Sequence, residues 1–206
     1  MSSVISLDLR DISKSFGSRD VFSGISIAID SGCLVVMGPN GSGKSTLLRI
    51  IAGLLAPTSG EVVFKRDGRR VAAELQRNIV GLVAPDLALY DELSATENLR
   101  FFARVRGLRK TDDELRIALG RLGLEGREDD RLGAYSSGMR QRVKYAFSLV
   151  HDPPVLLLDE PSANLDEAGI AAMDSIINER RRGIVVLATS DASELRYGDR
   201  VLQLGA

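Results

Sequence analysis

Tryptophan is absent from the 206 residues, and cysteine and histidine occur once each. A lone Cys33 excludes an intramolecular disulfide and fits a reducing compartment. It stands beside the apolar run Leu34–Met37, so packing is its expected role. Neither sign of charge is in excess: 27 Lys and Arg face 28 Asp and Glu, a net charge of −1. That balance offers no general attraction to nucleic acid or anionic membrane, so no nucleic-acid partner is expected. No apolar run approaches the ~20 residues that span a bilayer. Met1-Ser2-Ser3-Val4-Ile5-Ser6 lacks a basic region followed by an apolar block, so no signal peptide is expected. Tandem duplication, sustained heptads and low-complexity tracts are also missing. A chain of this length can bury one substantial core, or a core plus a small subdomain.

What is present centres on Gly38-Pro39-Asn40-Gly41-Ser42-Gly43-Lys44-Ser45-Thr46, a G-x-x-x-x-G-K-S loop. The strand-like Leu34–Met37 precedes it and the helix-like Leu47–Ala52 follows, the context this motif requires. Its glycines let backbone N–H groups turn inward as an anion nest at a helix N-terminus. Lys44 would reach β- and γ-phosphates and the Ser45 hydroxyl would bind Mg²⁺. ATP and Mg²⁺ are the cofactors this implies.

Alternating apolar residues predict strands over 4–10 and 21–29, the second with Ile25, Ile27 and Ile29 on one face; Asp11 to Asp20 reads as loop. Pro57-Thr58-Ser59-Gly60 stops the helix after the phosphate loop. Glu61–Phe64 and a strand near Val71 form a hairpin around Asp67-Gly68. Asn78–Val83 reads as another strand. Beyond it, Ser94-Ala95-Thr96-Glu97 and Thr111-Asp112-Asp113-Glu114 match capping boxes ahead of helical runs. Buried strands follow at Val155–Leu158 and Ile184–Ala188, with a helix over 166–182 between them and a last strand at Arg200–Leu204. The fold class expected is α/β: a P-loop NTPase (RecA-like) core with an antiparallel β subdomain and a helical subdomain. The core and β parts are expected at about 1–84 and 152–206, and the helical part at about 85–151, within one domain.

Two further constellations carry chemistry. Asp159-Glu160 ends a buried strand, where ligands bind in open α/β sheets. Asp159 fits a Mg²⁺-associated carboxylate and Glu160 a group that polarises the attacking water. Tyr135-Ser136-Ser137-Gly138-Met139 opens a helix with Ser136 as N-cap, leaving N–H donors at a positive helix end.

In this order and spacing the motifs resemble the ATP-binding cassette (ABC) ATPases over essentially the whole chain, specifically the nucleotide-binding subunits of ABC transporters. Gly38–Thr46 resembles the Walker A motif, and Val155–Glu160 the Walker B motif with its catalytic glutamate. Residues 135–139 resemble the Leu-Ser-Gly-Gly-Gln signature, Ser162–Asp166 the D-loop, and Phe16 the aromatic that stacks on adenine. The resemblance implies a head-to-tail pair, homodimeric or with a paired second cassette, sandwiching two ATP molecules. Ser136, Ser137 and Gly138 would then act in trans on the other chain's nucleotide.

It also implies a separate membrane-spanning permease subunit docked on the helical part, and a cytoplasmic location, peripheral at the inner face of the cell membrane. The compact form is similar to small exporter-type cassettes, including the haem-exporter ATPases of cytochrome c maturation. Two positions depart from the family pattern. Pro85 stands where the family has a glutamine that contacts Mg²⁺. Ser190 stands where it has a switch histidine, and His151, before Asp152-Pro153-Pro154, reads as a helix-end residue favoured by the dipole. Catalysis is therefore expected from Glu160, Lys44 and Ser190, slow or dependent on the partner. A soluble ATPase of the same family, or a nucleotide-dependent switch with weak hydrolysis, remain the alternatives.

Overall fold

A computed structural model describes residues 4–205. The chain falls into two compact units. The first takes the residues up to Leu82, Pro154–Pro161 and those from Ile177 onward; the second takes Val83–Pro153 and Ser162–Ile176.

In the first unit, β1 (Ile5–Phe16) and β2 (Arg19–Ile29) lead into β3 (Gly32–Met37) and helix α1 (Lys44–Ile51). The hairpin β4 (Ser59–Arg66) and β5 (Arg69–Arg70), the short α2 (Ala73–Gln76) and β6 (Val80–Val83) follow. After the second unit's α3 (Ala95–Val105), α4 (Asp112–Gly120) and α5 (Ser137–Leu149), the chain returns through β7 (Val155–Asp159). Helix α6 (Glu167–Arg180) belongs mostly to the second unit, and β8 (Ile184–Thr189) and β9 (Arg200–Gln203) complete the first. One sheet runs β2-β1-β4-β5 with antiparallel pairing; the other runs β6-β7-β8-β3-β9, in which β7–β8, β8–β3 and β3–β9 pair in parallel.

Strands β7 and β8 are buried at every position, which explains why Val-Leu-Leu-Leu and Ile-Val-Val-Leu read as continuous apolar runs. In β1 the alternation of Ile5, Leu7 and Leu9 with polar residues marks a sheet with one covered face. Side chains of both sheets and of α1, among them Leu7, Phe64, Leu34, Val186, Leu47 and Ile51, share one core.

The loop expected over 11–20 is instead strand: β1 continues to Phe16 and β2 begins at Arg19, leaving a turn at Gly17-Ser18. Register shifts between Leu9 and Ile12 and between Ile12 and Lys14 break the side-chain alternation while the ladder persists. Asp11 sits there at φ 51°, and Ile12 is fully buried. The Asp67-Gly68 hairpin forms with both residues left-handed (φ 51° and 76°), as a tight primed turn demands. Its second strand is only Arg69–Arg70, short of Val71, and the four residues of α2 are too few to show a helical period in the sequence.

The second unit begins each of its first two helices as expected. Ser94 Oγ accepts the Glu97 N–H at 3.1 Å while the Glu97 carboxylate accepts the Ser94 N–H at 2.8 Å. Thr111 and Glu114 repeat the exchange at 3.3 and 2.9 Å. These reciprocal bonds satisfy orphan donors of the first turn. Leu99, Ala103, Leu115, Leu119 and Val143 are buried within this unit, and Phe102 meets Phe147 edge-on at 4.5 Å.

Candidate functional site

Because β7, β8 and β3 are neighbours in one parallel sheet, their C-terminal ends open on the same edge. The residues leaving those ends are Asp159-Glu160 from β7, Ser190 after β8 and Gly38 after β3. Parallel-sheet chemistry concentrates there.

The loop from Gly38 to Gly43 is shaped by its glycines. Gly41 and Gly43 hold φ of 84° and 96°, left-handed values that side-chain-bearing residues rarely adopt. A Cβ on Gly43 would lie 2.5 Å from Val21 Cγ1 and 2.8 Å from Phe22 Cδ1, so β2 packs directly on the loop. A Cβ on Gly38 would lie 2.6 Å from Ser42 Oγ and 2.7 Å from the Leu204 carbonyl oxygen, which closes the loop's other flank. Phe16, at the end of β1, is exposed, with Lys14 Nζ 4.7 Å from its ring centroid. The β1–β2 ladder pairs Lys14 with Phe22, the side chain against Gly43, so Phe16 belongs to the hairpin beside the phosphate loop.

Lys44 opens α1 and is buried. Its Nζ donates to the carbonyl oxygens of Gly38 (2.9 Å) and Pro39 (3.2 Å) and lies 3.3 Å from Glu160 Oε1. Glu160 holds φ 47°, a strained conformation for a side-chain-bearing residue that is typical of functional positions. Its carboxylate also accepts from Ser190, whose N–H and Oγ lie 3.3 to 3.4 Å away. Lys44, Glu160 and Ser190 therefore form one continuous set of contacts. Pro39, Asn40 and Gly41 form the exposed rim of the loop, while Ser42, Ser45 and Thr46 are half-buried.

Asp159 is buried, and one carboxylate oxygen, Oδ1, has no hydrogen-bond partner. Burial pushes its pKa up; a hydrogen bond with Ser45 opposes this and the charge of Glu160 adds to it. A buried, half-satisfied carboxylate beside a serine hydroxyl is a suitable donor pair for a hard divalent cation. Ser45 and Asp159 are the residues that would hold Mg²⁺. Among the described residues no cluster of three or more His, Cys, Asp or Glu could hold a metal by itself. A cation here would share its shell with phosphate oxygens and water, the usual state of Mg²⁺ in nucleotide sites.

The raised pKa means that protonated Asp159 favours the folded state; this contribution is full below the unfolded-state pKa and is lost as pH rises through the folded value. Cation affinity runs the other way, failing at a higher pH than an ordinary aspartate would allow. Asp159→Asn should leave the nucleotide-free melting temperature unchanged or a few degrees higher, on the scale of about 1 kcal/mol. The same variant should lose Mg²⁺-dependent tightening of ATP binding. Calorimetric melting alongside nucleotide titration with and without Mg²⁺ checks both.

In the second unit, Ser136 caps α5: its Oγ accepts the Met139 N–H at 3.2 Å. Ser136 and Ser137 are exposed and Gly138 is buried. A Cβ on Gly138 would lie 2.7 Å from the Asn164 carbonyl oxygen, so the helix start packs on the segment over 162–166. Asn164 itself is left-handed, at φ 64°.

Contacts invisible in the sequence brace α5. Lys144 Nζ donates to the carbonyls of Ala84 (3.3 Å) and Pro85 (2.5 Å). Arg140 forms a forked pair with Asp91 at 2.6 and 3.2 Å, and Arg142 lies 3.7 Å from Asp166. Pro85 thus offers its main chain, not a side chain, to its surroundings. Lys144 flanks the Val143, Phe147, Val150 apolar stripe. Nothing local, however, names its partner.

The fold and these residues define a P-loop nucleoside triphosphatase. The family model for "ABC transporter" matches residues 22–163. The cytochrome c biogenesis ATP-binding export protein CcmA of Cupriavidus pinatubonensis is 37% identical over 97% of this chain and 88% of its own. The Nod factor export ATP-binding protein I of Rhizobium sp. (strain N33) is 35% identical over 80% of this chain, which spans 55% of that longer protein. An ATP-binding subunit of an ABC transporter superposes with a TM-score of 0.83 at 28% identity, covering 96% of this chain and 85% of its own. A putative ABC transporter ATP-binding protein of Pyrococcus furiosus gives 0.82 at 26%, covering 97% of each. The chain belongs to the ABC transporter family, as an ATP-binding ATPase subunit that energises a membrane transporter.

Proposed function

We propose that this chain works as one of two head-to-tail cassettes on a separate membrane-spanning subunit, each cassette supplying half of two ATP sites. The observation that carries this reading is the contact set of Lys44, Glu160 and Ser190 at the strand ends, with Asp159 and Ser45 beside it. No helix among the described residues is long and apolar enough to cross a membrane. Attachment to the inner face of the cell membrane would come through the partner.

Within the site, the loop N–H groups and Lys44 hold the triphosphate, and Phe16 stacks on the base. Lys44 exchanges its contacts with Gly38, Pro39 and Glu160 for phosphate oxygens. Glu160, freed from that ion pair, takes the proton of the attacking water. Ser45 and Asp159 would hold Mg²⁺, which when bound would neutralise phosphate charge. Ser136, Ser137 and Gly138 of the other cassette present a helix N-terminus to the nucleotide, worth most where water is excluded.

Ser190 orients Glu160 through a hydrogen bond and supplies no cationic charge, and Pro85 supplies no side-chain donor. Both features support slow turnover by the free chain. The relative named for cytochrome c biogenesis export supports an exporter-type cassette. The test is steady-state ATP hydrolysis by the free chain and by its complex with a co-purified multi-span membrane protein. Turnover should rise in the complex, and Ser190→Ala should lower kcat several-fold with little change in KM, since only Glu160 loses a contact. Fast turnover by the free chain, or no effect of Ser190→Ala, contradicts this reading.

A further inference from the structure

The β4–β5 hairpin and α2 border an open groove of about 710 Å³ that none of the nucleotide-site residues lines. Arg66, Arg69 and Arg70 are among its lining residues, with one acidic residue, Asp67; the Arg70 guanidinium is held by Glu61. Of the nearby carboxylates, Asp67 and Glu61 have partners, and Glu74 is exposed on α2 outside the lining. Asp67 Oδ1 accepts the Val4 N–H at 2.9 Å, and Glu61 accepts from Arg10 at 3.0 Å and Arg70 at 2.9 Å. The side chains of Arg66 and Arg69 have no hydrogen-bond or ion-pair partner among the described residues.

The rest of the lining is largely apolar. Val71, Ala72, Leu75 and Ile79 contribute, and Leu75 is 53% exposed. The hairpin that aims the arginines is held by the primed turn at Asp67-Gly68 and by the exchange of hydrogen bonds between Asp67 and Val4. The groove's volume is that of a small-molecule site, and a pair of cross-strand cations beside an apolar wall is what such a site uses to fix orientation. Arg66 and Arg69 face each other in the β4–β5 register, and with Asp67 as the one carboxylate of the lining positive charge is in excess, which favours an anion in place.

We infer that this groove binds a small amphipathic anion, with a phosphate or carboxylate head paired to Arg66 and Arg69 and an apolar body against Leu75 and Val71. The head suits the guanidinium fork, which takes two oxygens at once. The same chemistry could be presented by a free metabolite or by an anionic lipid.

The test uses the full chain with its P-loop saturated by a non-hydrolysable ATP analogue and Mg²⁺, so that added phosphate reports only on other sites. Octyl phosphate is titrated while backbone amide shifts are followed by NMR. Saturable 1:1 binding is expected, with shifts at Arg69, Val71 and Leu75. The double variant Arg66→Gln/Arg69→Gln should weaken it at least about tenfold, the loss of one charge-assisted bond or more. Leu75→Asn should weaken octyl phosphate but not inorganic phosphate. Both variants alter exposed side chains and should leave ATP-analogue affinity unchanged.

A parallel arm measures flotation with phosphatidylglycerol vesicles. Vesicle binding lost in the double variant, together with octyl phosphate binding, assigns a lipid headgroup; octyl phosphate binding without flotation assigns a free ligand. Absence of saturation at millimolar octyl phosphate, or binding unaffected by the double variant, overturns the inference.

Discussion

Glu160→Gln is expected to reduce ATP turnover by roughly 10²- to 10⁴-fold, the range for removing a general base, while ATP remains bound. Glutamine keeps the size of the side chain and its hydrogen bond from Ser190, but it cannot take a proton from water. It also ends the ion pair with Lys44, now 3.3 Å long, and so removes a competitor for the phosphates. ATP affinity should therefore hold or increase. Single-turnover kinetics with labelled ATP separates the two effects: binding persists and product formation stalls. A variant that hydrolyses within a few-fold of the parent would remove Glu160 from the chemistry.

The second large effect is expected at the opposite end of the proposed site. Gly138→Val places a branched side chain where even a Cβ meets the Asn164 carbonyl at 2.7 Å, and backbone oxygen cannot swing aside. Overpacking of this kind costs about 1–3 kcal/mol and shifts the helix start. The phosphate loop is in the other unit and shares none of these contacts. Gly138→Val should thus bind ATP as the parent does, yet lose turnover and lose ATP-dependent pairing. Equilibrium binding of a fluorescent ATP analogue, next to sedimentation velocity of the same samples, reads both properties. Weakened binding by the separate chain would contradict the assignment of Gly138 to a trans role.

Much of the molecule was legible because its signals are local. The phosphate loop needs glycines at fixed positions, and Gly41 and Gly43 adopt the left-handed values that this requires. The capping boxes at Ser94 and Thr111 are written in four residues each, and the bonds form between those same residues. Val155–Asp159 and Ile184–Thr189 declare themselves because both faces of a parallel strand are covered.

What stayed hidden depends on residues far apart in the chain. Lys144 is 59 positions from Pro85, and Gly138 is 26 from Asn164, distances over which spacing carries no information. The strand through Asp11–Phe16 was masked for a different reason. Bulges shift its register, so a sound ladder presents an irregular side-chain pattern. The positive φ of Glu160 was equally silent, because glutamate gives no warning of a left-handed conformation.

The head-to-tail arrangement is the claim on which the functional account turns, and cysteine chemistry suits its test. Cys33 is fully buried, with its thiol pKa pushed up to about 12 by desolvation, so the native background is unreactive at neutral pH. Asn40→Cys on the loop rim and Ser137→Cys at the start of α5 are made in separate Glu160→Gln chains, both positions being exposed. The two chains are mixed, saturated with MgATP and treated with a short bifunctional maleimide. A cross-linked dimer is expected only in the mixture and only with MgATP, and Gly138→Val in the second chain should abolish it. No mixed cross-link at saturating MgATP, or equal cross-linking of either chain with itself, would contradict the arrangement.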